Sequence, residues 1–190
     1  MSDQMLKVVV RKREEQGDGV VVLDLSDPSG HPLPAFEAGA HVDIHVKTGL
    51  VRQYSLCGNP ANAGVYRLGV LKDPASRGGS VAVHELLLEG QEIEISAPRN
   101  LFPLAADATR SILIGGGIGI TPMIAMAYAL ESLESDFEMH YCGRSRSRSA
   151  FLDELESAGF ARHVFTHFDD EEATQKLDLP AVLGAPAAGV

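Results

Sequence analysis

Residues 111–133 read SILIGGGIGITPMIAMAYALESL, which is an apolar strand, a run of glycines and an apolar helix in direct succession. Glycines at such a junction let the backbone turn sharply and approach a pyrophosphate, and the first amides of the helix supply partial positive charge. Thr121 and Pro122 are predicted to be the N-cap and the first residue of the helix. The stretch lacks the Gly-Lys-Ser/Thr ending of a mononucleotide P-loop, so it favours a dinucleotide. Taken alone, it fits a purely structural glycine turn about equally well.

The residues around this stretch alternate between strand and helix, which is typical of a parallel sheet covered by helices. The predicted strands are 111–114, 137–142 and 163–167, and the predicted helices are 121–133 and 150–158. A doubly wound nucleotide domain usually has five or six strands. The sequence therefore predicts a Rossmann-like α/β unit over residues 105–190 that is incomplete in this chain.

The first 104 residues have a different pattern, in which short β-branched segments are separated by Gly, Asn, Asp and Pro turns. The predicted strands are 7–11, 20–25, 41–46, 53–56, 66–71 and 92–96, and one helix is predicted at 80–88. Turns at this spacing indicate a small antiparallel barrel or sandwich. The predicted fold class is therefore β followed by α/β.

The composition indicates a globular protein that acts on small molecules. A chain of 190 residues that is 45% hydrophobic can bury a core. A net charge of −10 argues against a nucleic-acid or anionic-membrane surface, because both partners are polyanions. Residues 1–10 lack the apolar run of a signal peptide, and no stretch approaches the roughly 18 apolar residues of a membrane span. We therefore expect a cytoplasmic protein.

Metal sites are not predicted. Cys57 and Cys142 are expected to be reduced thiols. Two cysteines are too few for an iron–sulfur cluster, which takes about four thiolates, or two thiolates with two histidines. Two histidine pairs lie four residues apart on predicted strands, but no carboxylate or thiolate follows at a matching spacing. These pairs are His41 with His45 and His163 with His167.

Two segments of the first half could hold a phosphate. On the predicted strand Arg52-Gln53-Tyr54-Ser55-Leu56, a period of two places Arg52 and Tyr54 on one face, so a cation and an aromatic ring can address one ligand. Ser55 points the other way, and its amide and hydroxyl could reach the edge of a planar ligand ring. A surface arginine beside a half-buried tyrosine is the more frequent meaning of such a strand.

The second segment, residues 76–84, is a Gly-Gly turn that opens a helix. Arg77 and Ser80 stand at its start, where a polar loop can hold phosphate. A well-capped helix without a ligand would explain the same residues.

Four segments in this order resemble the phthalate dioxygenase reductase and vanillate O-demethylase reductase family, and the resemblance covers essentially the whole chain. They are 52–56 (RQYSL), 71–73 (LKD) leading to 77–80 (RGGS), 96–104 (SAPRNLFPL), and the glycine loop with Thr121-Pro122-Met123. The resemblance implies a six-stranded antiparallel Greek-key barrel that binds FMN, over residues 1–104. It also implies a Rossmann-like domain that binds NADH, and a C-terminal ferredoxin domain with a [2Fe–2S] cluster. Electrons would then pass to a Rieske-type oxygenase.

The resemblance assigns the FMN-binding residues to the first half. The phosphate is expected at Arg52, Arg77, Gly78, Gly79 and Ser80, with Leu71 and Lys72 in the segment that leads to them. Tyr54 is expected to pack against the isoalloxazine ring. Ser55 is expected near the flavin N5 edge and is the one candidate for a catalytic role.

The resemblance also assigns a nicotinamide nucleotide site, lined by Gly116, Gly117, Gly119 and Thr121. Arg144 is expected near the adenosine ribose. Together with Arg146 and Arg148 it could grip the 2′-phosphate of NADPH, whereas the resemblance implies NADH.

The sequence departs from the family after residue 190. The family continues with a strand ending in Cys-Gly-Pro and then with the ferredoxin domain, so we expect a fragment or a truncated gene product. The expected chemistry is hydride transfer from nicotinamide C4 to flavin N5, followed by single-electron release, and it needs no catalytic triad. The alternatives are an FMN-binding module without turnover and an FAD-dependent enzyme of the ferredoxin–NADP reductase type.

Overall fold

The computed structural model describes residues 5–62, 64–73, 75–76 and 78–184. The first seven strands and one helix are β1 (Met5–Gln16), β2 (Val20–Ser26), β3 (Ala40–Lys47), β4 (Leu50–Ser55), β5 (Tyr66–Leu71), α1 (Gly79–Leu86), β6 (Glu92–Ser96) and β7 (Arg99–Asn100). They are followed by β8 (Arg110–Gly116), α2 (Ile120–Ser132), β9 (Asp136–Gly143), α3 (Leu152–Ser157), β10 (Val164–Phe168) and α4 (Leu179–Leu183). Every helix and strand predicted from the sequence is present, with ends that shift by a few residues.

The first half is an antiparallel barrel, as predicted. Its strands follow the order β4-β3-β6-β1-β2-β5, and the short β7 pairs with β3. A bridge between Leu56 and Leu68 brings the two ends of this order together. The interior is filled by alternate residues of the strands, because successive side chains of a strand point to opposite faces. Fully buried examples are Val8, Val21, Leu23, Leu25, Val42, Ile44 and Ile95.

The second half is a parallel sheet of three strands in the order β10-β9-β8, with helices in the connections, as predicted. Phe137, Met139 and Tyr141 of β9 are buried on one face of this sheet. The core is continuous with that of the barrel. Among the described residues, no helix is long and apolar enough to span a membrane. The predicted division of the chain after residue 104 falls between β7 and β8 and stays a prediction.

Helix α2 contacts both halves, which explains why most of its residues are apolar and buried. A Cβ built on Gly69 of the barrel would lie 3.0 Å from the Thr121 methyl group, and one built on Gly39 would lie 3.1 Å from the Met126 methyl group. A helix enclosed on two sides has no wide polar face. The barrel and the parallel sheet therefore meet across this helix.

The predicted cap of α2 is wrong. The helix begins at Ile120 with Gly119 as its N-cap, so Thr121 is its second residue and Pro122 its third. The cause is the 3₁₀ turn Gly117–Gly119, which runs directly into the helix and moves its start two residues toward the N-terminus. The Thr121 hydroxyl instead donates to the carbonyl oxygen of Ile118, 3.0 Å away.

Gly39 provides a test of how the loops fit together. It has a φ of 93°, and a Cβ there would lie 1.9 Å from the Phe102 carbonyl oxygen. We expect Gly39→Ala to lower the free energy of unfolding by more than about 2 kcal/mol, because left-handed strain and backbone overlap add. Urea titration measures this loss. Gly49→Ala is the matched control, since Gly49 has a φ of 73° in open space. An equal loss in both variants would contradict the overlap.

Candidate functional site

The structure brings Arg52 on β4 to the first residue of α1. A Cβ built on Gly79 would lie 2.1 Å from Arg52 Nε and 2.7 Å from its Cδ. The arginine side chain therefore lies directly against the bare backbone of Gly79. Glycine is required for this approach, since any side chain would occupy the same space. Two predicted phosphate contacts that are 27 positions apart in the sequence are thus neighbours in the fold.

The start of α1 can hold an anion. Gly78 is the N-cap with a φ of 79°, and the first turn contains no acidic residue. The first amides of a helix have no partner within it and carry partial positive charge, which adds to the charge of the adjacent guanidinium. The site therefore combines a side-chain cation with backbone donors. Arg77, which was predicted to take part, lies outside the described residues.

Ser80 was predicted to belong to the phosphate-binding loop, and its side chain forms bonds within that loop. Its hydroxyl accepts a hydrogen bond from the Asp73 amide at 3.0 Å and lies 3.1 Å from the Ser76 hydroxyl. These bonds close the loop that leads from β5 to α1. Ser80 can still offer its backbone amide to a ligand, while its side chain holds the loop in place.

Tyr54 and Ser55 lie on opposite faces of β4, as predicted. Tyr54 shares its face with Arg52 and is half-buried, and this burial raises the pKa of its phenol although Arg52 acts in the other direction. The ring is therefore a neutral, flat surface beside the cation. Ser55 is partly exposed and pairs with His41 on β3.

His41 is a site neighbour whose role the sequence did not indicate. Its side chain is buried, and within the part of the chain that the structure describes its Nε2 has no hydrogen-bond partner. Burial lowers the pKa of His41, and the charge of Arg99 lowers it further. The imidazole directly across from Ser55 is therefore neutral at physiological pH. The sequence had singled out His41 only as a member of an unsupported metal pair.

The predicted glycine turn connects β8 to α2. Gly116, Gly117 and Gly119 are exposed, so their backbone is accessible to a ligand. Gly117 has a φ of 52°, and a Cβ on Gly115 would lie 2.8 Å from the Ile120 Cα. These glycines are needed for the turn and for its close approach to the helix. Thr121, in contrast, is buried with its hydroxyl engaged, so it supports the turn rather than facing solvent.

A cleft of about 420 Å³ opens beside this turn, at the carboxyl ends of the parallel strands. Its lining residues are Asp18, Leu71, Gly117, Cys142, Gly143, Arg144, Arg148, Ser149 and Asp169. Ligands of open α/β sheets bind at this edge. Two of the lining residues, Asp18 and Leu71, come from the barrel. The cleft is therefore lined by Leu71, Gly117 and Arg144 of the predicted site. Lys72, the next residue after Leu71, is exposed, and its amide donates to the Gly19 carbonyl oxygen at 2.7 Å.

The cleft contains two cations and two anions. Arg148 Nε lies 3.7 Å from a carboxylate oxygen of Asp18, and Arg144 and Asp169 lie on the walls. Arg146 does not line the cleft: it pairs with Glu156 and stacks over the ring of Phe168 at 5.5 Å. Of the three arginines considered for binding a 2′-phosphate, only Arg144 and Arg148 therefore line the cleft.

Comparisons with known proteins give close relatives over nearly the whole chain. It is 49% identical over 185 residues to the vanillate O-demethylase oxidoreductase of Pseudomonas sp. (strain HR199 / DSM 7063), covering 97% of this chain and 58% of that protein. It is 39% identical over 182 residues to the phthalate dioxygenase reductase of Burkholderia cepacia, covering 95% of this chain and 56% of that protein. The chain thus spans little more than half the length of these curated relatives. No family model matches.

Among solved structures, phthalate dioxygenase reductase matches with a TM-score of 0.91 and 36% identity. The match covers 98% of this chain and 59% of that one. That structure is described as modular, for electron transfer from pyridine nucleotides to [2Fe-2S]. The fold is therefore that of the ferredoxin reductase-like proteins.

The contact between Arg52 and Gly79 predicts that Gly79→Ala weakens anion binding without unfolding the protein. Alanine is favoured in a helix, and the clash is with a flexible side chain that can move away. If the anion is the phosphate of FMN, the affinity for FMN should fall about 10-fold, which corresponds to the loss of one charge-assisted hydrogen bond. Fluorescence titration with FMN and thermal denaturation measure the two quantities.

Gly159→Ala is the control for this prediction, because a Cβ there would make only an ordinary contact at 3.5 Å. If Gly79→Ala bound FMN as tightly as Gly159→Ala, the start of α1 would not be the phosphate site.

Proposed function

This chain belongs, over the residues that it spans, to the phthalate dioxygenase reductase and vanillate O-demethylase oxidoreductase family, and on that premise we propose that it binds FMN and NADH and passes electrons to an iron–sulfur centre. The whole protein would then serve as the reductase component of a Rieske-type oxygenase. The observation that carries the proposal is the shared cleft. Leu71, at the end of a barrel strand, and Gly117, in the glycine turn, line the same space.

The barrel contributes the flavin side of the proposed site. Arg52 and the amides at the start of α1 would hold the phosphate, and the half-buried face of Tyr54 would pack against the ring. A site with one phosphate-binding helix start fits FMN, whose phosphate is single. Ser55 would lie at the edge of the ring, where its hydroxyl can donate or accept a hydrogen bond.

The parallel sheet contributes the nucleotide side. The exposed backbone of Gly116, Gly117 and Gly119 would meet the pyrophosphate, and Arg144 would lie toward the ribose. The carboxylates of Asp18 and Asp169 suit the hydroxyl groups of an unphosphorylated ribose, which supports NADH as the donor.

A bound flavin would supply the chemistry by accepting a hydride and releasing electrons singly. The residues of this chain bind, orient and exclude water, and none of them has to move a proton in a classical acid–base step. His41 and Tyr54 fit this assignment, because both remain neutral at physiological pH.

The thiols of this chain do not provide the proposed iron–sulfur centre. Cys57 is fully buried and donates to the Arg67 carbonyl, and burial strongly raises its pKa. Burial also raises the pKa of Cys142, as does the neighbouring Asp169. A cluster needs thiolates, so both cysteines are poor ligands in addition to being too few. The proposed acceptor is therefore a centre outside the described residues.

The test uses the full-length product of the gene, purified and loaded with FMN under anaerobic conditions. We expect the visible flavin absorbance to bleach on addition of NADH, and to bleach more slowly with an equal amount of NADPH. A protein that binds neither FMN nor FAD would overturn the flavin proposal. A protein that binds FMN but does not bleach would be a binding module without turnover, and one that retains only FAD would be of the ferredoxin–NADP reductase type.

Arg52→Ala tests the phosphate assignment in the same preparation. We expect FMN affinity to fall about 10- to 100-fold, because a charged hydrogen bond to phosphate is lost. Riboflavin, which has no phosphate, should bind wild type and variant alike. Arg11→Ala is the control, since Arg11 is an exposed arginine whose Nε donates to the Ser26 hydroxyl of the adjacent strand. An Arg52→Ala variant with full FMN affinity would show that the phosphate lies elsewhere.

A further inference from the structure

The proposed function requires the barrel and the parallel sheet to be held in a fixed position relative to each other. The flavin would lie on the barrel and the nicotinamide on the sheet, so each half controls only one of the two reacting atoms. A reactive arrangement needs those atoms about 3–3.5 Å apart. The contacts that join the halves therefore decide how well the reaction runs.

Phe151 makes one of these contacts through its ring. It directly precedes α3 in the second half, is 2% exposed, and points its ring at β5 of the barrel. A Cβ built on Gly69 would lie 2.7 Å from Phe151 Cζ and 3.0 Å from its Cε2. The ring edge therefore rests on bare barrel backbone. The Thr121 methyl group reaches the same point at 3.0 Å.

The backbone of Phe151 is held in an unfavourable conformation. Its φ is 66°, in the left-handed region that residues with a Cβ avoid. Its amide donates to the Oε1 atom of Gln16, the last residue of β1, at 2.8 Å. Such a conformation persists only where the surroundings over-determine it. Here a side chain of the barrel fixes the backbone, and a glycine of the barrel receives the ring.

Neighbouring contacts fix the rest of this interface. A Cβ on Gly17 would lie 3.0 Å from the backbone of Arg148, so the β1–β2 turn also lies against the second half. Arg67 of β5 binds both carboxylate oxygens of Asp24 and reaches Glu154 of α3 at 3.1 Å. The phenol of Tyr128 donates to the other oxygen of Glu154 at 2.9 Å. These pairs stabilise α3, the helix that Phe151 begins.

The position of Phe151 connects it to both proposed cofactor sites. Gly69, on which the ring packs, is two residues before Leu71, which lines the cleft. Its other contact, Thr121, is two residues after Gly119 of the glycine turn. A shift of the ring would therefore move β5 relative to the start of α2.

We propose that Phe151 is a positioning residue for hydride transfer, which sets the nucleotide-binding half against the flavin-binding barrel by seating its ring on Gly69. The inference rests on the proposed function. It assigns the ring no contact with either cofactor. Its effect must therefore show in the transfer step and not in flavin binding.

The test measures flavin reduction in the full-length, FMN-loaded gene product by anaerobic stopped flow. Saturating NADH reports the transfer step, and dithionite, a small reductant that needs no nicotinamide site, reports access to the flavin. For Phe151→Ala we expect reduction by NADH to slow about 10- to 100-fold, because a misplacement of about 1 Å has this effect. Reduction by dithionite and the affinity for FMN should stay at wild-type values.

Phe165→Ala is the matched control. Phe165 is an aromatic residue of the same half, lies on β10, is 43% exposed and stacks on His140. It should retain the wild-type rate with NADH. Phe151→Gly separates ring from backbone, since glycine relieves the positive φ but removes the ring. Slow reduction in Phe151→Gly as well would support the role of the ring.

Wild-type rates in Phe151→Ala would overturn the inference, and so would an equal slowing with dithionite, which would place the defect at the flavin. If Phe151→Ala does not fold, Gln16→Ala takes its place. This variant removes the acceptor of the Phe151 amide and should slow NADH reduction selectively, and an unchanged rate would overturn the inference. A wild-type protein that NADH does not reduce would instead overturn the proposed function, which keeps the two failures distinct.

Discussion

The contact between Arg52 and the backbone of Gly79 is the interaction on which the barrel side of the site depends. A guanidinium beside the first turn of a helix adds its charge to the positive end of the helix dipole, and both attract an anion. The first turn of α1 contains no acidic residue that would repel one. Gly79 leaves this space open to the arginine, and Ser80 fixes the loop that leads to it. The geometry therefore favours the binding of a phosphate.

The overall fold could be predicted from the sequence because its signals are local. Strand alternation, turn residues and the strand–glycine–helix succession each fall within a short window, and they gave the barrel and the parallel sheet. The predicted ends of the strands were less accurate where pairing with an adjacent strand determines how far a strand extends. Strand β1 continues to Gln16 through polar residues 11–16, since its second half pairs with β2 along that length. Likewise β7 was not predicted, because two residues become a strand only when β3 is beside them.

The candidate site was predictable in its parts but not in its assembly. The glycines and Arg52 stand out by residue type, whereas Asp18 enters the cleft only because the β1–β2 turn lies against the second half. The role of Phe151 could not be predicted from the sequence around it. Positive φ is expected at glycine, and nothing in a local pattern indicates that a phenylalanine will adopt it under the control of Gln16, which is 135 positions away. Contacts of this kind depend on how the two halves meet, which local periodicity does not encode.

The charges of the cleft connect its architecture to the choice of nucleotide. A 2′-phosphate adds about −1.5 to −2 charges, comparable to other phosphate monoesters, and would enter a space that already contains Asp18 and Asp169. Arg148 is partly compensated by Asp18, and Arg146 is turned away toward Glu156 and Phe168. Arg144 would have to balance most of the added charge by itself, at an exposed position where solvent weakens the attraction. A ribose with free hydroxyl groups avoids this repulsion, because carboxylates accept hydrogen bonds from hydroxyls. Asp18 in the β1–β2 turn and the turning of Arg146 away from the cleft therefore act in the same direction, and both support the proposed choice of NADH.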